Sequence, residues 1–342
     1  VALIDDGIDL SNLDAYSNVV KASGLSYCPP YGRLERPWHE STNGHGTIMA
    51  NMIVRINPWV SLDVMRIHDS KVYHLDGEVR TINAASAAKA IEGAILRRAN
   101  IISVSWTIRN LAQKPSVSSS SQNDKSGKDE IKSPEEIAIN ALQKAIDRAK
   151  EANILMFCSA ADDIKTTGKD SLPFSRAQDY IFRIGAALDK GQRDPASEDP
   201  NSMTYYFPGN QVAEAWNSRS TKTVQYHNGS SVSTALAAGF ASLIMYTNNM
   251  MRAYYEQIPE ADPGLHQYNT FDEWARQLKH SKNMRRAFDN TNSPSHTDPK
   301  FLPVWHTFGE TAERINKEPK AKNKLLELEK LVRTLCHRLE SV

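Results

Sequence analysis

The sequence predicts a three-layer α/β fold: a mostly parallel central sheet with helices on both faces, followed by a C-terminal helical extension. Three observations carry this. Short, uniformly apolar runs such as Val1–Ile4 and Ile154–Cys158 have the pattern of strands buried on both faces. They alternate with longer stretches of helical spacing, the arrangement that gives a parallel sheet covered by helices. The chain has 342 residues, enough for one large core or a core plus a smaller appendage.

Taken in order, Val1–Ile4 is a strand that ends at Asp5-Asp6-Gly7. A chain that opens inside its own sheet, without an initiator Met or a basic leader, reads as one excised from a longer polypeptide. Ser61–Ile67 alternates as a second strand. Thr81–Ala99 is rich in Ala, Ile and Leu at helical spacing and leads into the β-type run Ile101–Trp106. Residues 111–133 are dominated by Ser, Lys, Asp and Gln, which predicts a disordered low-complexity loop. Ser133-Pro134-Glu135-Glu136 then supplies an N-cap, a Pro in the first turn and acids beside it, starting a helix that runs to about Ala152. Strands follow at Ile154–Cys158 and Tyr180–Ala187, and Ser231–Met250 is a helix of small and apolar residues.

The character changes near residue 250, so we read 1–250 as the α/β domain and 251–342 as the helical extension. Pro259, Pro263 and Gly264 mark a loop, Phe271–Phe288 an amphipathic helix, and 289–304 is rich in Asn, Ser and Pro. Lys322–Leu339 carries Leu325, Leu328, Leu331, Val332, Leu335 and Leu339 along one side. This stripe spans only about two heptads, so its plainer reading is packing on its own domain. The sharper one is a contact with other parts of a larger chain.

Composition narrows the function. The chain has 41 basic and 40 acidic residues, a net charge of +1, and so carries no charge bias towards nucleic acid or an anionic membrane. No apolar run approaches the roughly 20 residues of a bilayer span, and no membrane partner is expected. The three cysteines, Cys28, Cys158 and Cys336, are scattered and odd in number. That implies neither a disulfide framework nor a Cys-x-x-Cys metal site, and points to a reducing, cytoplasmic compartment.

Ligand sites in such folds form at the carboxyl ends of strands. Three segments concentrate chemistry there. Val1–Asp9 is an apolar strand ending in carboxylates. Asn43-Gly44-His45-Gly46-Thr47 sets a His between two glycines before an apolar helix. Asn228-Gly229-Ser230-Ser231 opens a long helix after a glycine. Each has a plainer reading alone: a loop-capping Asp, a polar helix cap, a Ser N-cap, or a glycosylation sequon at 228–230.

In the order Asp, His, Ser, they resemble the three signatures of the subtilisin-like serine protease family, over roughly Val1 to Met250. The resemblance implies a serine endopeptidase acting on polypeptides, with Ser231 as nucleophile, His45 as base and Asp5 as the carboxylate that orients it. Asp6 is the runner-up carboxylate. Where the family has an oxyanion-binding Asn, this chain has Asp162, or Asp163 on a one-residue shift. Loss of one such donor costs about 2.7–4 kcal/mol, whereas a protonated Asp still donates. Some members carry Asp there, so inactivity does not follow.

Ser105, Trp106 and Thr107 fall in the stretch that pairs with substrate backbone in the family, usually glycine-containing. Their bulk either narrows the cleft or repacks the loop. Ala235-Leu236 replaces the Pro-His that commonly follows the nucleophile. No metal site is legible, and calcium enters only through the resemblance. A second function class stays open: a catalytically degenerate domain serving as a binding or regulatory module in a larger intracellular protein. Asp162, the Trp106 segment and the cysteines favour it.

Overall fold

A computed structural model of the chain describes residues 1–11, 20–74, 77–109, 133–160, 171–195, 200–214, 224–257, 264–291 and 297–341. The first half contains β1 (Ala2–Asp5), β2 (Lys21–Ser26), α1 (His45–Ile56), β3 (Ser61–Arg66), β4 (Asp69–His74), β5 (Gly77–Ile82), α2 (Ala84–Leu96), β6 (Ile101–Val104) and β7 (Ile108–Arg109). The second contains α3 (Pro134–Glu151), β8 (Leu155–Ser159), β9 (Ser171–Leu172), β10 (Phe182–Ala187), β11 (Tyr205–Pro208), β12 (Val212–Ala213), β13 (Tyr226–His227) and α4 (Ser230–Glu256). Four helices follow: α5 (Gly264–Gln277), α6 (Ser281–Asp289), α7 (Val304–Lys317) and α8 (Ala321–Leu335).

Seven strands form one sheet in the order β11-β10-β8-β6-β1-β3-β2, with every neighbouring pair parallel. The apolar runs alternate between its two faces. Leu3, Ile101, Leu155 and Phe157 join a core shared with α1 and α4. Ala2, Ile4, Ile102, Met156 and Cys158 join one shared with α2 and α3. Side chains of a strand point alternately to opposite faces, so a strand buried on both must be apolar throughout. The chain lays β2 and β3 on one side of β1 and β6, β8, β10 and β11 on the other. The topology therefore reverses at β1, and a crevice opens at its carboxyl end.

Ser133 caps α3 as expected: its hydroxyl accepts from the Glu136 N–H, and the Glu136 carboxylate accepts from the Ser133 N–H. The low-complexity loop before it lies outside the described residues. The C-terminal helices share the first core. Phe271, Met284, Phe288, Leu331 and Leu335 cluster with Leu3 and Phe240, and the Phe288 ring lies 5.8 Å from Phe182 and 5.1 Å from Phe240. Helices α5, α6 and α8 and the sheet thus bury one continuous apolar mass. On α8, Leu331, Val332 and Leu335 are buried and Leu328 packs against the same core, as does Leu339, which lies beyond the end of the helix at Leu335 and not within it as the stripe suggested; the leucine stripe is used within the chain.

Two expectations need correction. Phe271–Phe288 is not one helix: α5 ends at Gln277, and extended backbone at His280 separates it from α6. The apolar stripe continues across the break because both helices face the same core. Secondly, α4, at 27 residues, is long and apolar enough to cross a membrane, although no such run was expected. Most of its apolar stretch is buried inside the fold, which identifies it as the core helix.

Candidate active site

The site begins where β1 stops. Asp5 and Asp6 are both fully buried at its carboxyl end. Asp6 binds the loop before α1: its carboxylate accepts from the Ser41 hydroxyl at 2.8 Å and from the backbone N–H groups of Asn43 and Gly46, each at 2.6 Å. The anionic side chain thereby satisfies donors at the positive end of α1. Gly46 is required for this approach, since a Cβ there would lie 2.2 Å from the Gly7 carbonyl oxygen and 3.1 Å from the Asp5 Cβ.

His45, the first residue of α1, is thereby set over Asp5. Its Nδ1 lies 2.9 Å from one Asp5 oxygen and 3.0 Å from the other, and its side chain is 26% exposed. The carboxylate selects the tautomer with the proton on Nδ1, which leaves Nε2 as the basic nitrogen. Asp6, the other candidate carboxylate, is engaged with the loop.

A third charged group joins them. Arg80, on β5, donates from Nη2 to Asp5 Oδ1 at 2.7 Å and from Nε to Asp69 Oδ2 at 2.9 Å; its Nη1 lies 3.0 Å from His45 Nδ1. Asp69 also accepts from the Asn43 amide at 3.0 Å. Burial alone pushes the Asp5 carboxyl up, but Arg80, then His45 and the Asp6 N–H outweigh it and hold Asp5 well below the ordinary carboxylate range. The Asp6 carboxyl moves the other way, raised by burial and then by the Asp5 charge. Burial also opposes the charge on Arg80, yet Asp5 and Asp69 more than restore it.

A second wall, at the start of α4, is made of hydroxyls and carbonyls. Gly229 precedes α4 with φ 114° and ψ 164°, a conformation essentially confined to glycine. Three hydroxyls then fasten the start of α4. Ser230 donates to the Ala160 carbonyl at 2.9 Å, Ser233 to the Phe207 carbonyl at 3.0 Å, and Thr234 to the Ser230 carbonyl at 2.8 Å. Ser231 lies between them, half-buried. Its hydroxyl donates to the Ser105 carbonyl at 3.3 Å, and the Ser105 hydroxyl donates to the Ser231 carbonyl at 3.1 Å. Ser105 directly follows β6, whose Val104 pairs with Ile4, so this exchange sits one strand from Asp5. The Ser231 hydroxyl is bonded to Ser105 and not to His45.

Trp106 turns away from the cleft. It is 5% exposed, packs in the core with Ile4 and Phe174, and donates from its indole to the Ile4 carbonyl at 2.8 Å. Its ring therefore repacks the loop and braces β1 from below, which corrects the idea of an indole narrowing the cleft. Thr107 is half-buried, and Ile108 and Arg109 pair with β9. Asp162 and Asp163 lie outside the described residues. Among those described, no group of three His, Cys, Asp or Glu side chains gathers to hold a metal ion, so no calcium site is assigned. A cavity of about 610 Å³ bordered by Tyr205, Arg285, Asp289 and Lys300 shares no residue with this site.

Arg80, which contacts Asp5 and His45, and Asp69, which anchors Arg80, are the site neighbours that the sequence motifs did not name. One signal was present: Asp76-Gly77 lies between the β-type runs 71–74 and 78–81, the pattern of a hairpin turn. It would have predicted the hairpin, though not the reach of Arg80 to a carboxylate 75 residues away.

Comparison with known proteins bears on the family and the fold. The subtilase family matches residues 1–259. No curated protein matches the chain. Among solved structures, the epidermin leader peptide processing serine protease EpiP from Staphylococcus aureus superposes with a TM-score of 0.58 at 17% identity, covering 94% of this chain and 75% of that one. A lanthipeptide protease gives 0.56 at 17% identity, covering 89% and 85%. The prenylagaramide maturation protease PagA gives 0.53 at 15%, covering 97% and 93%. At these identities the likeness concerns the fold. The family match spans well over half of the sequence, and the chain belongs to the subtilase family.

Proposed function

We propose that the chain is a serine endopeptidase in which Ser231 is the nucleophile, His45 the general base and Asp5 the carboxylate that orients and stabilises it. The observation that carries this reading is the pairing of His45 with the buried Asp5 at 2.9 Å, at the end of β1 and one strand from the Ser105 carbonyl that receives the Ser231 hydroxyl. Subtilase membership supplies the reaction class, hydrolysis of a peptide bond.

A Ser hydroxyl attacks a peptide carbonyl only while a base removes its proton. The Ser231 hydroxyl exchanges the Ser105 carbonyl for His45 Nε2, and its oxygen bonds to the substrate carbonyl carbon as the proton passes to the imidazole. His45 then gives that proton to the leaving amine, and the acyl group stays on Ser231. Water repeats the sequence, releasing the acid and restoring the hydroxyl. The Ser231 N–H lies in the first turn of α4, where such groups lack an intrahelical acceptor, and it serves as one donor to the oxyanion. Asp162, by its place in the sequence, is the candidate for the second.

One observation favours the rival reading of a binding module: the Ser231 hydroxyl rests on Ser105 and not on His45. Catalytic hydrogen bonds are often long or misaligned before substrate binds, so this arrangement is compatible with an enzyme. Hydrolysis of unfolded casein decides between them. The wild-type chain cleaves it, and Ser231→Ala lowers the turnover by about a millionfold, as loss of a triad nucleophile does elsewhere. Cleavage that survives Ser231→Ala, or no cleavage by the wild type between about pH 5 and 9, the range over which a His base titrates, contradicts the reading.

A further inference from the structure

We propose that Arg80 is a positioning residue of the reactive site: by sharing Asp5 with His45, it sets how readily the imidazole accepts a proton and hence the acid limit of the reaction. This inference rests on the peptidase reading above. Three observations carry it. Arg80 Nη2 and His45 Nδ1 bind the same oxygen of Asp5, at 2.7 and 2.9 Å. Arg80 Nη1 stands 3.0 Å from Nδ1, so a guanidinium touches the nitrogen whose proton the carboxylate holds. Arg80 is itself anchored, since Nε donates to the buried Asp69, which Asn43 also binds.

The physical consequence follows from charge. A lone buried carboxylate beside an imidazole favours the imidazolium, because the pair becomes neutral on protonation. Here Asp5 already has a cationic partner, so protonating His45 places two cations on one carboxylate. Asp5 from the end of β1 and Arg80 from β5 contact the ring nitrogen, and the acids bound next to them are Asp6, on the Gly46 N–H, and Asp69, on Arg80. Among the described residues, α1 adds no acid in its first turn. Its positive end also weighs against the imidazolium. Arg80 is thus the one described side-chain cation in contact with the ring, and its charge opposes a second positive charge there.

The test is the rate at which diisopropyl fluorophosphate inactivates the full chain across pH 5 to 9, which reads the base without needing a substrate. Arg80→Gln removes the charge and moves the acid limb of the rate profile up by about one pH unit. Arg80→Lys keeps the charge, and its limb stays close to the wild type. Asp69→Asn preserves both hydrogen bonds to that oxygen but deletes a counter-charge, so its limb moves to lower pH. It also carries the test if Arg80→Gln does not fold. A limb that stays put in both Arg80→Gln and Asp69→Asn, or that moves in the opposite direction in either, overturns the inference while leaving the peptidase reading intact. A wild-type chain that is never inactivated overturns both.

Discussion

The two walls of the candidate site are held by different physics. On the β1–α1 side, the buried carboxylates Asp5, Asp6 and Asp69 join Arg80 and His45 in a charged network, each member fixed by two or more polar contacts. On the β6–α4 side, Ser105, Ser230, Ser231, Ser233 and Thr234 are neutral hydroxyls that donate to backbone carbonyls. In the proposed reaction the first wall holds the base and the second holds the nucleophile. Damage to the charged wall should therefore change the chemistry and its pH dependence, and damage to the neutral wall at hydroxyls other than Ser231 should cost stability with little effect on either.

The largest separation is expected from Asp5→Asn. It removes the group that fixes the His45 tautomer, and kcat should fall about 10,000-fold. Arg80 also loses one of its two carboxylates, so the variant should unfold about 3–5 kcal/mol more easily in urea at pH 7, as when one partner of a buried ion pair is removed. That stability difference carries its own pH signature. The Asp5 carboxyl is depressed in the folded chain, so its contribution is complete above the unfolded carboxylate value of about 4 and is lost as pH falls through the depressed value. Parallel urea titrations should therefore show wild type and Asp5→Asn converging on acidification, and a gap that widens below pH ~4 contradicts this assignment.

Gly46→Ala comes next. A methyl group 2.2 Å from the Gly7 carbonyl forces β1 and α1 apart, with an expected loss of about 3 kcal/mol. A displaced His45 should also lower kcat/KM about 100-fold. Thermal unfolding and casein hydrolysis check the two parts. The smallest effect belongs to Ser105→Ala on the neutral wall. It deletes the hydroxyl that donates to the Ser231 carbonyl but keeps the carbonyl that receives Ser231. About 1 kcal/mol of stability should go, with kcat/KM within a factor of about ten. A collapse of activity in this variant would erase the distinction between the walls.

How much of this was legible depended on how local the signal is. The strand ends and helix starts that carry Asp5, His45 and Ser231 are short segments whose glycines, caps and apolar runs report their own conformation. Ser133 and Glu136 likewise announce a helix start within four residues. Arg80 gave no such sign, because its partners come from distant β1 and from the far end of the hairpin, and an ion pair between them leaves no periodicity. The bulk of Trp106 said that something large stood beside the cleft, but not that the indole would turn inward to the Ile4 carbonyl. The stripe from Phe271 to Phe288 was readable as one apolar face; the break at His280 was not, since both helices serve the same core. Nor did the change of composition near residue 250 reveal that Phe288 packs against Phe182 and Phe240.

Peptide mapping of the full chain after reaction with diisopropyl fluorophosphate addresses the central claim most directly. A single adduct on Ser231, lost when His45 is replaced by Ala, is the predicted result. Adducts on the buried neighbours Ser230 or Ser233, labelling of Ser231 that does not need His45, or no adduct at all would contradict it.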